Sequence, residues 1–142
     1  METVKEIELT LKNEPGQLSL ISDLLGANGI RLIAFYVSNR EGKGRLNFVA
    51  NDPDKAINLL SSGGHTLETH SVIACEIPLH PGGLSAVLKP LKTAGINVDY
   101  IYPCLATGKA TVLIVRAEPV EQALQAMQEE WIRVLGREIY TL

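Results

Sequence analysis

From Val4 to Leu11 the chain alternates: Val4, Ile7, Leu9 and Leu11 are apolar among Lys5, Glu6, Glu8 and Thr10. A period of two predicts a strand with one half-buried face, the polar positions falling on the open side. The segment NEPG then predicts a turn. Over residues 17–28 the period lengthens, and Leu18, Ile21, Leu24 and Leu25 share one helical stripe. Gly29 stands where a helix C-cap glycine belongs. Residues 31–38 and 45–50 read as strands around the turn NREGKG, whose residues tolerate positive φ. Asp52 and Pro53 suit the N-cap and first position of a second helix, which runs to about Ser62 before SSGG breaks it. Residues 66–70 complete a β-α-β-β-α-β order.

The same order then repeats. Shifting the chain so that Gly16 falls on Gly82, a displacement of 66 positions, also aligns Pro15 with Pro81, Leu18-Ser19 with Leu84-Ser85, Leu25 with Leu91, Gly29-Ile30 with Gly95-Ile96, Tyr36 with Tyr102, Gly42 with Gly108 and Pro53 with Pro119, without a gap. In the second half, strands are expected at residues 72–77, 97–102, 110–116 and 133–140, and helices at 84–94 and from Glu118-Pro119 to about Glu130. Trp131 is expected to cap the core below the last helix. No Gly/Ser linker intervenes, so the predicted units, residues 1–71 and 72–142, should lie tightly side by side. Each is ferredoxin-like, a four-stranded antiparallel sheet with two helices on one face, giving an α+β fold. The second strands are apolar on both faces: Leu32, Ala34 and Tyr36 alternate with Ile33, Phe35 and Val37. Helices cover only one face, so a second copy of the chain is expected to cover the other, as a homodimer. Tyr36, Tyr100 and Tyr102 suit a seam or interface equally with a half-buried strand position.

Composition narrows the function. With 142 residues, 46% hydrophobic, 20% charged and a net charge of −3, the chain has ordinary globular composition and no basic field for nucleic acid or an anionic membrane. The charged N-terminus is unlike a signal peptide, and no apolar run reaches the length of a membrane span. Two cysteines, Cys75 and Cys104, lack metal-like spacing and fit a cytoplasmic protein; sequence leaves open whether they pair.

Chemistry concentrates at the first turn of each half, LKNEPGQL and PLHPGGL. Each sets Pro-Gly directly before a helix, where unpaired amides and the helix dipole suit a carboxylate. The following strand of the second half carries Asn97 and Asp99; Asp99 suits a ligand ammonium, and Asn97 either end of an amino acid. No nucleophile–base pair, catalytic residue or metal-ligand spacing stands out among His65, His70 and His80, of which the first two are expected to face solvent. RNA-type stacking lacks aromatics, Phe48 being alone on the third strands.

A strand, N-x-P-G-x-L opening a helix, and GINVDYI on the next strand together resemble the ACT domain, the small regulatory module of aspartate kinases and other amino-acid enzymes. The resemblance spans both halves and is greatest to stand-alone tandem-ACT proteins, which have no catalytic domain. It implies pairing of the units into a continuous eight-stranded antiparallel sheet with helices on one face, and an amino acid or similar small metabolite bound at the seam. It implies contacts from Asn13, Glu14, Gly16, Gln17 and Leu18, and from His80, Gly82, Gly83, Leu84, Asn97 and Asp99. No cofactor is implied, and a metabolic enzyme is the expected regulatory partner. The two pockets are not equivalent: Leu79 replaces Asn13, and Arg31 and Ile33 stand where Asn97 and Asp99 do. Other readings of the same fold are a small ferredoxin-like enzyme and a pure protein-interaction module with degenerate pockets.

Overall fold

The computed structural model describes residues 2–105 and 110–142, so Gly108 of the repeat lies outside the described residues. The elements run β1 (Val4–Leu11), α1 (Gln17–Ala27), β2 (Leu32–Arg40), β3 (Lys43–Ala50), α2 (Pro53–Ser62), β4 (Leu67–Ile77), α3 (Gly83–Thr93), β5 (Val98–Pro103), β6 (Thr111–Ala117), α4 (Val120–Glu129) and β7 (Val134–Leu135), ending in a 3-10 helix (Arg137–Thr141). The four helices and the strands β1, β2, β3, β5 and β6 fall within a few residues of the ranges expected from the sequence. Asp52 caps α2 through its side chain, accepting from the Lys55 amide at 3.2 Å.

All strand pairs are antiparallel, in the order β2-β3-β1-β4-β6-β5, with β7 on β4. The described residues thus form seven strands, not the expected eight. Two strands expected separately, residues 66–70 and 72–77, are one: nothing in His70-Ser71-Val72 breaks the extended chain, and the expected boundary after residue 71 falls inside β4. Leu67 to Val72 pair with β1, whereas Ile73 to Ile77 pair with β6. The expected closing strand shrinks to β7, because the backbone turns at Gly136 and the Arg137 amide donates to Glu2 at 2.9 Å.

The helices cover the outer face of this sheet and bury two cores. Ile21, Leu25, Ala56 and Leu60 pack on Ile7, Leu9 and Phe48. Val87, Leu91, Leu124 and Met127 pack on Ile73, Cys75 and Val115. Each fully buried Leu or Ile contributes about 1.5–3 kcal/mol. The inner face does not wait for a second copy. The sheet curls until its ends meet: Ala34 and Cys104 form an antiparallel bridge, and the Leu105 amide donates to the Ile33 carbonyl at 2.7 Å. Val4, Ile33, Val49, Val72, Val112 and Ile114 then pack on one another inside the curl, with Leu135 and Ile139 of the C-terminal segment. The face on which the homodimer expectation rested is therefore closed within one chain. Trp131 departs from expectation too: it has φ 61° and is 93% exposed, just past the end of α4. Cys75 and Cys104 are both free and buried; burial pushes their thiols up to about 12 and about 11.

Candidate functional site

Both expected turns are built alike. Gly16 and Gly82 precede α1 and α3 at φ 86° and 88°, the left-handed region that glycine adopts without penalty, and no side chain caps either helix. The first-turn amides of two helices therefore lack a side-chain acceptor, in contrast to those of α2. Asn13, Glu14, Gly16 and Leu18 are exposed and Gln17 is half-buried; His80, Gly82, Leu84, Asn97 and Asp99 are exposed. Gly83 alone of the expected contacts is buried, and its reason is packing: a Cβ there would overlap the Pro78 carbonyl oxygen. His80 Nδ1 lies 2.9 Å from the Pro81 carbonyl.

These residues do not converge on one cavity. Leu18 opens an apolar groove of about 390 Å³ between α1 and β2, floored by Leu25, Ile30 and Leu46 and walled by Phe35 and Leu105. Leu84 borders a shallow hollow on the outside of α3 beside Lys89 and Lys92. Asp99 lies elsewhere, on the wall of a polar pocket of about 280 Å³ where β5 meets β1, β2 and β3. Twin irregularities explain this last placement. β2 shifts register between Leu32 and Ala34, and β5 does so between Val98 and Tyr100, at equivalent points of the repeat. The residue in each bulge is re-aimed: Ile33 is buried in the inner core, whereas Asp99 is exposed, 4.0 Å from Arg116.

The group next to this pocket is invisible in the hydropathy pattern. Glu6, on the side of β1 expected to be open, is fully buried inside the curl. It accepts from the hydroxyls of Tyr100 and Tyr102, each at 2.5 Å, and from Asn47 Nδ2 at 3.2 Å. Tyr36 from the first half packs on both tyrosines of the second, with ring centroids 5.3 and 5.0 Å apart, so the three form the seam between halves. Burying a carboxylate costs several kcal/mol, and hydrogen bonds to a charged group return about 1.5–3 kcal/mol each. Three of them make the site tenable. Burial foremost, and then the Glu6 charge and hydrogen bonds, push both phenols far above their ordinary value; burial and the same charge raise Tyr36. A lone polar residue on a strand's alternate face carries no mark of burial; only the tyrosine pair, spaced to share one face, could have hinted at it.

Glu8, Glu68 and His70 form a grouping among the described residues whose ligand atoms could reach one metal ion. His70 is not solvent-facing as expected: its ring is 17% exposed, 3.6 Å from Glu8 and 3.9 Å from Glu68. The Glu8 carboxylate is also engaged by Asn47 at 3.1 Å.

The family profile of the ACT domain pair matches residues 2–138. The chain belongs to this family. No curated protein sequence matches it. Among solved structures, this ACT pair is similar to protein BT0572 from Bacteroides thetaiotaomicron, at 23% identity and a TM-score of 0.90, covering 99% of this chain and 97% of that one. It is also similar to the regulatory subunit of aspartate kinase from Thermus thermophilus, at 17% identity and a TM-score of 0.63, covering 92% and 94%. Likeness to aspartate kinase from Clostridium acetobutylicum, at 14% identity and a TM-score of 0.51, covers 90% of this chain and 33% of that one. At these identities the structural likeness establishes the fold. Among the described residues no helix is long and apolar enough to cross a membrane.

Proposed function

We propose that this ACT pair binds an amino acid, or a small metabolite resembling one, as a regulatory module without catalytic activity of its own. One observation carries the reading: α1 begins on an uncapped left-handed glycine turn directly beside the apolar groove that opens at Leu18. The helix start suits a carboxylate, and the groove suits an aliphatic or aromatic side chain. The expected contacts Asn13, Glu14 and Gln17 flank the same turn. The α3 turn repeats the backbone but not the groove, so the first half is the stronger of the two sites. Leu20, Phe35 and Val37 are exposed on the outer surface of α1 and β2. They favour pairing with a second copy or a regulated enzyme, and they are also the ground for a second reading, a purely protein-binding module.

Thermal melting against the twenty amino acids tests this. A ligand bound only by the folded state raises the midpoint. The expected result is a rise with one or a few apolar amino acids that disappears in Leu18→Asp. A rise unchanged in that variant would reject the groove. No rise with any amino acid would favour the protein-binding reading.

A further inference from the structure

The polar pocket between the halves holds a buried acceptor that its protein neighbours leave unpaired. Asn47 is 1% exposed, lines this pocket, and its Oδ1 is the one buried side-chain polar atom without a hydrogen-bond partner among the described residues. Turning the amide over does not help. Its Nδ2 lies between the carboxylates of Glu6 and Glu8, and the reversed amide would set an acceptor against two acceptors. An orphaned buried acceptor destabilises the fold unless something donates to it. The rest of the lining is balanced in charge. Glu8 and Asp99 are negative; Arg40 and Arg45 are positive. Arg40 makes no side-chain hydrogen bond or ion pair among the described residues, and Arg45 reaches Glu8 only at 4.0 Å.

We propose that this pocket is a second ligand site, taking a small zwitterion whose ammonium group donates to Asn47 Oδ1 and faces Glu8, and whose anionic group faces Arg40 and Arg45. An ammonium supplies the donor that Oδ1 lacks, and the balanced lining suits a ligand carrying both signs and no net charge. Size limits the class. The cavity of about 280 Å³ equals roughly nine waters at ~30 Å³ each. That is room for a compact molecule. The walls come from both halves, with Tyr100 and Asp99 on one side and Tyr36, Arg40 and Asn47 on the other. Occupancy would therefore tie β5 to β2 and β3. The site is distinct from the turn before α1 and does not rest on it.

The test is nuclear magnetic resonance of the isotope-labelled full chain, titrated with the twenty amino acids, β-alanine and γ-aminobutyrate, and separately with methylammonium and with acetate. The expected result is a saturable shift of the Asn47 side-chain amide and of the Asp99 and Tyr100 backbone signals with at least one zwitterion. Arg45→Gln changes a half-exposed residue and should leave the fold intact. It should weaken that binding about tenfold or more, as loss of a charge-assisted hydrogen bond implies. Shifts confined to the first-turn amides of α1 or α3 would overturn this site while sustaining the reading above. Shifts at Asn47 with none at α1 would do the reverse. Methylammonium binding as tightly as any zwitterion would overturn the role of the arginines. Absence of any shift at Asn47 across the panel would leave the pocket to water and end the proposal.

Discussion

Glu6 illustrates how one residue can hold two halves of a chain together. It comes from the first half, yet two of its three donors, Tyr100 and Tyr102, come from the second. Both phenols stay protonated in the folded protein well above their ordinary value of about 10. Unfolding releases them to ionise near that value. The folded state therefore binds more protons than the unfolded state once the pH passes about 10, and stability must fall as the pH rises. Below that the contribution is fully present. The expected outcome is a urea midpoint nearly constant from pH 8 to 9.5 and declining steeply above about pH 10. Replacing both tyrosines by phenylalanine should flatten that decline while lowering stability at neutral pH, since Glu6 would lose two donors. None of this was legible along β1. The alternation of Val4 to Leu11 identified the strand and the helix-side positions Ile7, Leu9 and Leu11, but Val4, read together with them, lies on the opposite face in the inner core. It said nothing of what lies against the other face, because that depends on contacts 94 and 96 residues away.

At the level of elements, periodicity and punctuation sufficed for most of the chain. Asp52-Pro53 starts α2, Pro-Gly turns precede α1 and α3, and the left-handed glycines Gly29 and Gly95 follow them. Where strands bulge, the sequence was silent, and so Ile33 and Asp99, equivalent in the repeat, end in opposite surroundings. The two expected glycine contacts at α3 also part company. Gly82 has open space around it and is constrained by its φ of 88°, so Gly82→Ala should cost about 1–2 kcal/mol, the usual left-handed penalty. Gly83 is not left-handed but touches the Pro78 carbonyl, so Gly83→Ala must displace backbone, an overpacking cost of typically 1–3 kcal/mol or more. Chemical denaturation of the two variants checks this. The Gly83 variant should also disturb the amide signals of residues 77–79, whereas the Gly82 variant should not. At Gln17, the first-half counterpart of Gly83, a side chain is accommodated.

For the whole molecule, the question the sequence poses is what covers the inner face of the sheet. Residues apolar on both strand faces do demand a cover. A sheet that twists with a fixed hand can provide its own by curling until β2 and β5 meet. A linear reading of hydropathy cannot distinguish that solution from a second copy, since both bury the same side chains. The curl also predicts what truncation does. Residues 1–71 alone would expose Val4, Ile33, Ala34 and Val49 and leave Glu6 without its tyrosines. Such a fragment should show no cooperative unfolding by circular dichroism and should aggregate in size-exclusion chromatography. A stable, monomeric half would contradict the shared core.

The strand β4 gives this a wider meaning. A copy-and-paste event leaves its mark in the sequence as a frame of fixed length, and here that frame is plain from Gly16 and Gly82. Yet no cut placed on the frame yields a finished object, because the piece of backbone at the join belongs to both neighbours at once. What was inherited twice and what folds once are different units. A designer wishing to exchange one half for a relative's would have to carry the whole of this strand across, and with it the edge that the other half depends upon.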